Sequence, residues 1–471
     1  MDADIIIIGA GFAGLTVAAR AGELGLKTIV LEQGDGDDYP CNSRYSGGML
    51  HIGLDDPTAK QDYLIALIER LTDGLPDRAF TEAFTAEAPK AVAWVRSHGA
   101  QFIRLGNHPG RQWVMAPPRR GQPGLDWKGR GPDAILRRLT DVARKQGSEI
   151  RMNSRGVNLI IESGKCVGVE IESAGKRSEL RGRAVVLADG GFQANTDLVE
   201  RFVSPQADKV MQRNARTGRG DGMLMAEKVG ARLVGMEAFY GHPLARDAFT
   251  NDLLWPHPYL DPMTVSGVVV AEDGERFVDE GLGPIYLANT MAKRGNPTDA
   301  IVIFDEAIWT GPAADKIAPP APNPTIEMAK AEIHKANTIG ELAAKAGLPV
   351  DALVETIAQH NDALARGTLA SLPIPRSADR YKPMAIAKPP FYAVPMCAGI
   401  TYTMGGPAID ANARVLHQDG HAIEGLFAVG SASGGLEGGP HVGYIGGLIK
   451  AFTLGRIAAQ FVAASAGKAA A

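Results

Sequence analysis

The sequence predicts an α/β fold built on a buried parallel sheet, with more than one lobe. Residues 4–8 read DIIII, a short β-branched run bounded by glycine, which is typical of a buried parallel strand. Spaced glycines follow, then LTVAARAGELG at helical spacing, then KTIVLE as a second strand. The 471 residues exceed the roughly 250–300 at which a single core stops growing, so we expect two or more lobes.

The glycines between the first strand and the helix form the pattern Gly9-x-Gly11-x-x-Gly14. Glycine lets the backbone approach a pyrophosphate at a helix N-terminus, where free N–H groups and the helix dipole favour anions. Glu32 ends the second strand and is placed to accept hydrogen bonds from ribose hydroxyls. This unit predicts a dinucleotide site of the Rossmann type, with further contacts from Phe12, Ala13 and Gln33.

The position of this unit favours FAD over NAD, because FAD-binding chains of this type usually begin with it. No second full glycine pattern occurs elsewhere in the sequence, which argues against a separate nicotinamide domain. We therefore expect FAD, held without a covalent bond.

Bulk composition argues against several other classes of protein. The net charge of −4 gives no reason to expect nucleic acid or an anionic membrane as a partner. Cys41, Cys166 and Cys397 are far apart and odd in number, which predicts neither a disulfide framework nor a metal site. No run reaches the ~18 unbroken apolar residues that a membrane span requires. We expect a cytoplasmic protein without stable membrane insertion and without a metal.

Further segments follow in a characteristic order, namely CNSRYSGGML (41–50), GRAVVLADGGF (182–192), TGRGDGMLMAEKVGA (217–231), RFVDEG (276–281), GITYTMGG (399–406) and GLFAVGSASGGLEGG (425–439). In this order and spacing the whole chain resembles the fumarate reductase/succinate dehydrogenase-like FAD-dependent flavoproteins. That superfamily includes soluble fumarate reductases, 3-ketosteroid dehydrogenases and tricarballylate dehydrogenase, and the short motifs are most similar to the tricarballylate branch.

The resemblance implies a discontinuous, Rossmann-like FAD-binding domain with an inserted α+β capping domain. The FAD domain is expected over residues 1–240 and 380–471, and the capping domain over 241–379. Within the cap, the apolar spacing of 338–347 and 351–367 predicts two helices.

The resemblance also implies further FAD contacts along the chain. They are Asn42, Ser43, Ser46, Gly47, Gly48, Val157, Ala188, Asp189, Gly190, Asp221, Gly405, Gly430, Ser431, Ile445 and Gly446. In the family, the turn at Met404-Gly405-Gly406 lies by the flavin and helps to line the substrate cavity. A glycine pair lets a planar ring approach backbone amides, although an ordinary hairpin turn is the alternative for this motif taken alone.

The implied reaction adds or removes hydrogen across a carbon–carbon bond next to a carbonyl or carboxylate. Fumarate reductases hold the substrate carboxylates with two His and one Arg, and a further Arg donates the proton. His242 matches one of these His, with a surface-loop His as the alternative, and Tyr402 stands at the second. No Arg is available near Pro284, where the proton donor is expected, and His441 stands near the position of the second Arg.

Phenols and imidazoles replace the missing cations, namely Tyr286, Tyr402, Tyr444, His242 and His441. This set resembles the ketosteroid dehydrogenases, in which tyrosines polarise a ketone and abstract a proton. A tyrosine can serve as the base where a neighbouring cation lowers its pKa. Taken singly, each of these tyrosines has a packed structural role as its alternative.

Arg119 and Arg120 allow two interpretations. They lie in a segment that faces the substrate in relatives, where they would compensate for the missing cations by binding a carboxylate. The alternative is a solvated basic loop.

We therefore expect an FAD-dependent dehydrogenase or reductase that acts on a CH–CH bond, with hydride moving to or from flavin N5. Loss of the Arg proton donor favours dehydrogenation. The partners would be a small-molecule substrate and an electron acceptor that is a quinone or a redox protein. The alternative function is a non-redox flavoprotein, such as a hydratase or isomerase, that uses FAD structurally.

Overall fold

The computed structural model describes residues 1–257, 259–314 and 322–467. In chain order the strands are β1 (Ala3–Ile8), β2 (Thr28–Leu31), β3 (Met49–Leu50), β4 (Phe102–Ile103), β5 (Trp113–Met115), β6 (Glu149–Arg151), β7 (Ser154–Glu162), β8 (Lys165–Ser173), β9 (Lys176–Leu187), β10 (Met211–Gln212), β11 (Leu233–Val234), β12 (Phe239–Ala245), β13 (Val268–Val270), β14 (Ile301–Asp305), β15 (His334–Ala336), β16 (Phe391–Thr403), β17 (Gly406–Pro407), β18 (Arg414–Leu416) and β19 (Ala422–Ala428).

The α-helices alternate with these strands. In chain order they are α1 (Phe12–Glu23), α2 (Asn42–Tyr45), α3 (Gln61–Thr72), α4 (Arg78–Ser97), α5 (Gly131–Lys145), α6 (Thr196–Phe202), α7 (Asp221–Lys228), α8 (Asp261–Ser266), α9 (Pro284–Ala292), α10 (Glu306–Thr310), α11 (Pro322–Met328), α12 (Ile339–Ala346), α13 (Val350–Arg366) and α14 (Gly447–Ser465).

The first sheet has the strand order β18-β19-β9-β1-β2-β6. Its inner pairs are parallel: β1 pairs with β2 and with β9, β2 pairs with β6, and β9 pairs with β19. Ile5, Ile6 and Ile7 have no solvent exposure, as expected for a parallel strand that is covered on both faces. Helix α1 returns the chain from β1 to β2 and packs against α5 and α14. The predicted α/β fold on a parallel sheet is confirmed.

Strand β9 is longer than its neighbours and belongs to two pairings. Its first half pairs antiparallel with β8, which pairs in turn with β7, and its second half lies in the parallel sheet. The strand therefore carries a three-stranded antiparallel extension out of the nucleotide sheet.

The second sheet is organised around β16, a thirteen-residue strand that is buried along nearly its whole length. Strands β12, β14 and β15 pair antiparallel with it, β10 pairs parallel with it, and β13 extends the sheet from β14. Helices α12 and α13 cover 339–346 and 350–366, so both predicted cap helices are confirmed.

Two apolar cores correspond to the two sheets. The first contains buried residues from Ala3 to Ala231 and from Ile409 to Ala463, and the second contains residues from Phe192 to Ile400. The second core thus extends across residues 240 and 380 on both sides of the predicted insertion. The predicted domain boundaries at 240/241 and 379/380 remain a prediction.

Helix α14 is the one helix among the described residues that is long and apolar enough to cross a membrane. Its mean hydropathy is 1.2, and 67% of it is buried inside the structure. It packs against α1 and α4, as a core helix does.

A buried ion pair fixes the segment between β2 and β3. The Nε atom of Arg44 lies 2.8 Å from the Asp133 carboxylate on α5, and both side chains are almost fully buried. Arg44 also donates to the carbonyls of Asp37 and Tyr39. The pair therefore holds residues 37–45 against α5.

We expect Arg44→Ala to lower the free energy of unfolding by about 3–5 kcal/mol, because it leaves the Asp133 carboxylate buried without its main partner. The measurement is denaturant unfolding of the purified protein. The control is Arg137→Ala, which removes a 37% exposed arginine from the same carboxylate. It should cost about 1 kcal/mol or less, and equal losses in the two variants would contradict the assignment.

Candidate active site

One elongated cavity lies along the carboxyl ends of the parallel strands. Seventeen of the predicted FAD contacts line it, namely Gly9, Gly11, Phe12, Ala13, Glu32, Gln33, Asn42, Ser43, Ser46, Gly47, Gly48, Ala188, Asp189, Gly190, Asp221, Gly430 and Ser431. Tyr402 and Tyr444 line it as well. In open parallel sheets ligands bind at this edge, so the cavity is the candidate site.

The glycine turn at the start of α1 has no room for side chains. A Cβ added at Gly14 would lie 1.9 Å from the Gly9 carbonyl oxygen, and one added at Gly9 would lie 2.6 Å from the Ala188 oxygen. Gly9 also has φ of +103°, which favours glycine. The first turn of α1 carries no acidic residue, so its N-terminus presents N–H groups and positive potential to the cavity.

Glu32 follows β2 and is buried in the cavity wall. Its carboxylate accepts hydrogen bonds from the Ala10 amide (2.9 Å) and the Gly34 amide (2.8 Å). Burial raises the pKa of this carboxyl despite those bonds. The two amides fix its orientation, and each oxygen keeps a lone pair for a ribose hydroxyl.

Two glycines of the cavity lining have open space beside the backbone. A Cβ added at Gly47 or at Gly190 would meet no atom within 4 Å, so space for a ligand borders the main chain at both positions. Cys41 lies beside this space, and burial raises the pKa of its thiol to about 12, which keeps it protonated. An anion-binding turn, a carboxylate for ribose and open backbone for a planar ring together fit FAD.

Asp189 is a second carboxyl in the cavity wall. It accepts a hydrogen bond from the Gly222 amide (2.8 Å), while its Oδ1 atom is buried and has no hydrogen-bond partner among the described residues. Burial raises its pKa to about 7. The neighbouring Asp221 is paired with Arg155, so the two carboxyls have different environments.

Five predicted FAD contacts lie outside the cavity lining, namely Gly14, Val157, Gly405, Ile445 and Gly446. A Cβ at Gly405 would lie 2.4 Å from the Gly235 carbonyl oxygen, so this glycine is needed for the close packing of two backbone segments. The amides of Ile445 and Gly446 both donate to the Glu437 carboxylate at 3.0 Å. A direct contact of these residues with FAD stays a prediction.

An aromatic wall of Tyr240, Tyr402 and Tyr444 closes one side of the cavity. Tyr240 stacks on Tyr444 with ring centroids 4.0 Å apart and lies 5.3 Å from the Tyr402 ring. Tyr240 faces Tyr402 because β12 pairs with β16 at this register. The next pair is Gly241 with Ile400, so Thr401 is an extra, bulged residue.

The bulge makes Thr401 available for contacts outside the ladder. Its carbonyl accepts a hydrogen bond from Asn42 (2.9 Å), and its hydroxyl accepts one from Arg213 (2.7 Å). Asn42 also accepts from the Ala215 amide (2.9 Å), so its side chain ties three segments together.

The Tyr402 hydroxyl donates to Glu437 at 3.0 Å. Glu437 is fully buried and is also contacted by the Lys450 ammonium at 3.3 Å. Burial and the Glu437 charge raise the pKa of Tyr402 well above its ordinary value. The sequence analysis expects a cation beside a catalytic tyrosine, because a cation lowers the pKa of the phenol. The group that accepts the Tyr402 hydrogen bond is instead a carboxylate, which opposes ionisation of the phenol.

His242 does not line the cavity but lies directly behind it. Its Nδ1 atom is 2.7 Å from Asp261, and its Nε2 atom is 3.0 Å from the Tyr240 hydroxyl. Residues 240 and 242 are two apart on β12, which gives both rings the same side of the sheet. His242 therefore reaches the cavity through Tyr240, and the surface-loop alternative does not describe it.

His441 and Tyr286 lie away from the cavity lining. His441 is half exposed and contacts Asp73 at 3.0 Å. Tyr286 packs at the edge of the apolar cluster that includes Tyr402 and Tyr444, with its ring centroid 6.3 Å from His441. Catalytic roles for these two residues stay predictions.

The two candidate arginines, Arg119 and Arg120, have different environments in the structure. Arg120 is exposed and lies near Asp126, as the solvated-loop interpretation expects. Arg119 lines the cavity, and its Nε and Nη2 atoms are buried without a hydrogen-bond partner among the described residues. Burial and the nearby Arg213 lower the pKa of Arg119 to about 10.

The family model described as "FAD binding domain" matches residues 4–443. The chain belongs to this family. It is 31% identical over 392 residues to NADH:acrylate oxidoreductase of Vibrio harveyi, covering 80% of this chain and 36% of that protein. It is 28% identical over 455 residues to the probable fumarate reductase Ifc3 of Shewanella frigidimarina, covering 92% of this chain and 70% of the relative.

A solved structure has the same fold. The 3-ketosteroid Δ1-dehydrogenase from Sterolibacterium denitrificans superposes with a TM-score of 0.77 at 21% identity, covering 98% of this chain and 99% of that chain. The predicted fold is thereby confirmed. The family model and the curated relatives confirm the predicted superfamily, the FAD cofactor and the class of CH–CH oxidoreductase. The narrower resemblance to tricarballylate dehydrogenase stays a prediction.

Several residues of this flavoprotein site were missed by sequence reasoning, namely Tyr240, Asp261, Glu437, Lys450 and Arg213. Tyr240 lies two residues before His242 in the segment FYGHPL (239–244), and the i, i+2 spacing on a strand could have pointed to it. The other four had no local signal, because their partners are distant in sequence.

We expect Gly47→Val to lower the affinity for FAD about tenfold, because a side chain there enters the open cavity and overpacking costs about 1–3 kcal/mol. The measurement is fluorescence titration of the deflavinated protein with FAD. Gly295→Val is the matched control, since Gly295 is also exposed with no atom within 4 Å of an added Cβ. An unchanged affinity of Gly47→Val for FAD would contradict a flavin ring bound beside Gly47.

Proposed function

We propose that this chain removes hydrogen from a carbon–carbon bond next to a carbonyl or carboxylate, with Tyr240 as the group that takes the proton. The observation that carries the proposal is the hydrogen-bonded series Asp261–His242–Tyr240, which ends at a phenol in the cavity wall. Bound FAD supplies the hydride acceptor in this reaction.

The series defines a direction for the proton. With Nδ1–H donating to the Asp261 carboxylate, the Nε2 atom of His242 accepts the hydrogen bond from the Tyr240 hydroxyl. As the substrate α-carbon loses its proton to the Tyr240 oxygen, the phenolic proton passes to His242, and Asp261 stabilises the imidazolium. The reverse transfer protonates the α-carbon when the reaction runs towards reduction.

Tyr402 and Tyr444 support this step without taking the proton. Burial raises the pKa of Tyr444 as it does that of Tyr402, so both phenols keep their protons at neutral pH. Tyr444 stacks on the Tyr240 ring and restricts its orientation. The Tyr444 hydroxyl, which is not bonded to Glu437 or His242, can also polarise a substrate carbonyl and stabilise enolate charge.

The physiological direction and the acceptor belong to the same proposal. Dehydrogenation is favoured because the relay provides a proton acceptor, in a site that lacks an arginine at the predicted donor position near Pro284. We propose a quinone or a redox protein as the electron acceptor, in line with a relative described as fumarate reductase (cytochrome) and a structural neighbour described as Sdh1 in complex with UQ1.

The test is an anaerobic absorbance titration of the flavin band with saturated ketones and saturated carboxylic acids in separate pools. Bleaching by a member of one pool, and recovery of the band with the matching conjugated alkene, would support the proposal. No bleaching by any pool and no reoxidation of reduced protein by conjugated alkenes would overturn it in favour of the non-redox alternative.

We expect Tyr240→Phe to slow flavin reduction by a bleaching substrate about 10²–10⁴-fold, because the proton acceptor is removed. His242→Gln should slow it as well and change its pH profile, since the relay loses its imidazole. The measurement is anaerobic stopped-flow absorbance. The control is Tyr392→Phe, a buried tyrosine near the start of β16 that is bonded to Glu306 and does not line the cavity, which should leave the rate unchanged. A rate in Tyr240→Phe equal to that of the control would contradict the role.

A further inference from the structure

Two arginines from different parts of the fold meet in the same cavity as the aromatic wall. Arg119 lies in the segment between β5 and α5, and Arg213 directly follows β10 in the second sheet. Both line the cavity that Tyr240 and Tyr402 line. The two guanidinium groups are close enough for the charge of Arg213 to act on Arg119.

The two side chains differ in how they are held. Arg213 is fixed, because its Nε donates to the Pro256 carbonyl at 2.6 Å and its Nη1 donates to the Thr401 hydroxyl at 2.7 Å. Arg119 has two buried nitrogens, Nε and Nη2, with no hydrogen-bond partner in the described part of the chain. Those are the two atoms with which a guanidinium binds a carboxylate in bidentate fashion.

Neither arginine has a counter-ion among the described residues. Within residues 1–257, 259–314 and 322–467, no carboxylate oxygen lies within 4.0 Å of either guanidinium. The carboxylate whose charge acts on Arg119 is Asp126, which is paired with Arg130 at 2.9 Å and accepts the Arg120 amide at 3.0 Å. Two partly buried cations that line one cavity without an anion are unfavourable, and an anion that binds between them reduces this cost.

The positive charges of the two arginines also act on the pKa of His257. Burial, Arg119 and Arg213 together lower its pKa to about 3, so it is neutral at physiological pH. Its Nε2 atom is also buried without a partner among the described residues. The positive charge at this end of the cavity therefore comes from the two arginines.

We infer that Arg119 and Arg213 form a carboxylate subsite, so that the substrate of this chain is an organic acid held by its carboxylate beside Tyr240. This inference rests on the proposed function for the chemistry but not for the binding, because a carboxylate binds there whether or not it is oxidised. It gives the substrate class: an acid is held by cations that replace the histidines and arginines of the fumarate reductase pattern.

The test measures binding to the holoenzyme and needs no turnover. The probes are propionate, cyclohexanecarboxylate and benzoate, each compared with its own neutral amide. Binding is followed by the change in the flavin absorption band and by equilibrium dialysis. We expect at least one acid to bind about tenfold more tightly than its amide, because only the acid pairs with the arginines.

The variants are Arg119→Met and Arg213→Met, with Arg120→Met as the matched exposed control. Each of the first two should weaken acid binding about tenfold or more, leave amide binding within about twofold and leave the FAD content unchanged. Arg119→Lys should restore part of the preference for acid, since it returns the charge without the bidentate geometry. Arg120→Met should behave as the wild type.

Three results would overturn the inference: no acid binds more tightly than its amide, Arg120→Met loses the preference as fully as Arg119→Met, or Arg119→Met loses FAD. The last would assign the arginines to the cofactor. Preferential acid binding in a protein whose flavin no substrate bleaches would support the subsite and count against the proposed redox reaction, so the two failures are distinguishable.

Discussion

The buried Glu437 carboxylate is the interaction on which the geometry of the site depends. One oxygen accepts the amides of Ile445 and Gly446, and the carboxylate also receives the Tyr402 hydroxyl and the Lys450 ammonium. These partners belong to β16, to the loop that carries Tyr444, and to α14. A carboxylate without solvent exposure is stable only when it is saturated with donors in this way. Lys450 also donates to the Ser433 carbonyl at 2.9 Å, so the network extends to the segment after β19.

This network determines which tyrosine is available for chemistry. The Tyr402 hydroxyl donates its hydrogen bond to Glu437. Tyr444 directly precedes Ile445 and Gly446, whose amides bind the same carboxylate, so this loop positions Tyr444. Tyr240 alone of the three has its hydroxyl on an imidazole, and that imidazole is backed by Asp261. Two carboxylates thus lie behind the aromatic wall with different effects. Glu437 keeps Tyr402 protonated, whereas in the proposed reaction Asp261 helps His242 to accept the Tyr240 proton.

Local sequence patterns predicted the nucleotide half of the site well. The strand, the glycine turn, α1 and Glu32 are close in the chain, and their geometry follows from backbone sterics that a short sequence specifies. The resemblance to the flavoproteins then supplied Asn42, Gly47 and Asp189 at the cavity wall. Gly405 shows the limit of this reasoning, because a glycine required by packing against Gly235 has the same sequence signature as one required by a ligand.

The catalytic half depends on pairings between distant strands. Tyr240 faces Tyr402 only because β12 and β16 pair at one register, and the bulge at Thr401 decides which groups point at Asn42 and Arg213. A shift of one residue would turn every side chain to the opposite face. No pattern within either strand specifies that register. Sequence reasoning accordingly named Tyr402 and His242 as candidates, whereas the proposed role of Tyr240 depends on the pairing between the two strands.

The positions of the charges explain why the two halves of the cavity serve different tasks. Arg119 comes from the segment before α5, whereas Arg213 and Tyr240 come from the second sheet, so the cationic end forms only when the two cores are packed together. The negative groups, Asp261 and Glu437, lie behind the tyrosines, and the arginines face the cavity in front of them. An anion is therefore attracted to the arginines and excluded from the space behind the wall. In the proposed reaction, the proton that leaves the substrate moves the other way, towards His242 and Asp261. The proposed carboxylate subsite and the proposed direction of proton transfer are therefore consistent with one charge arrangement.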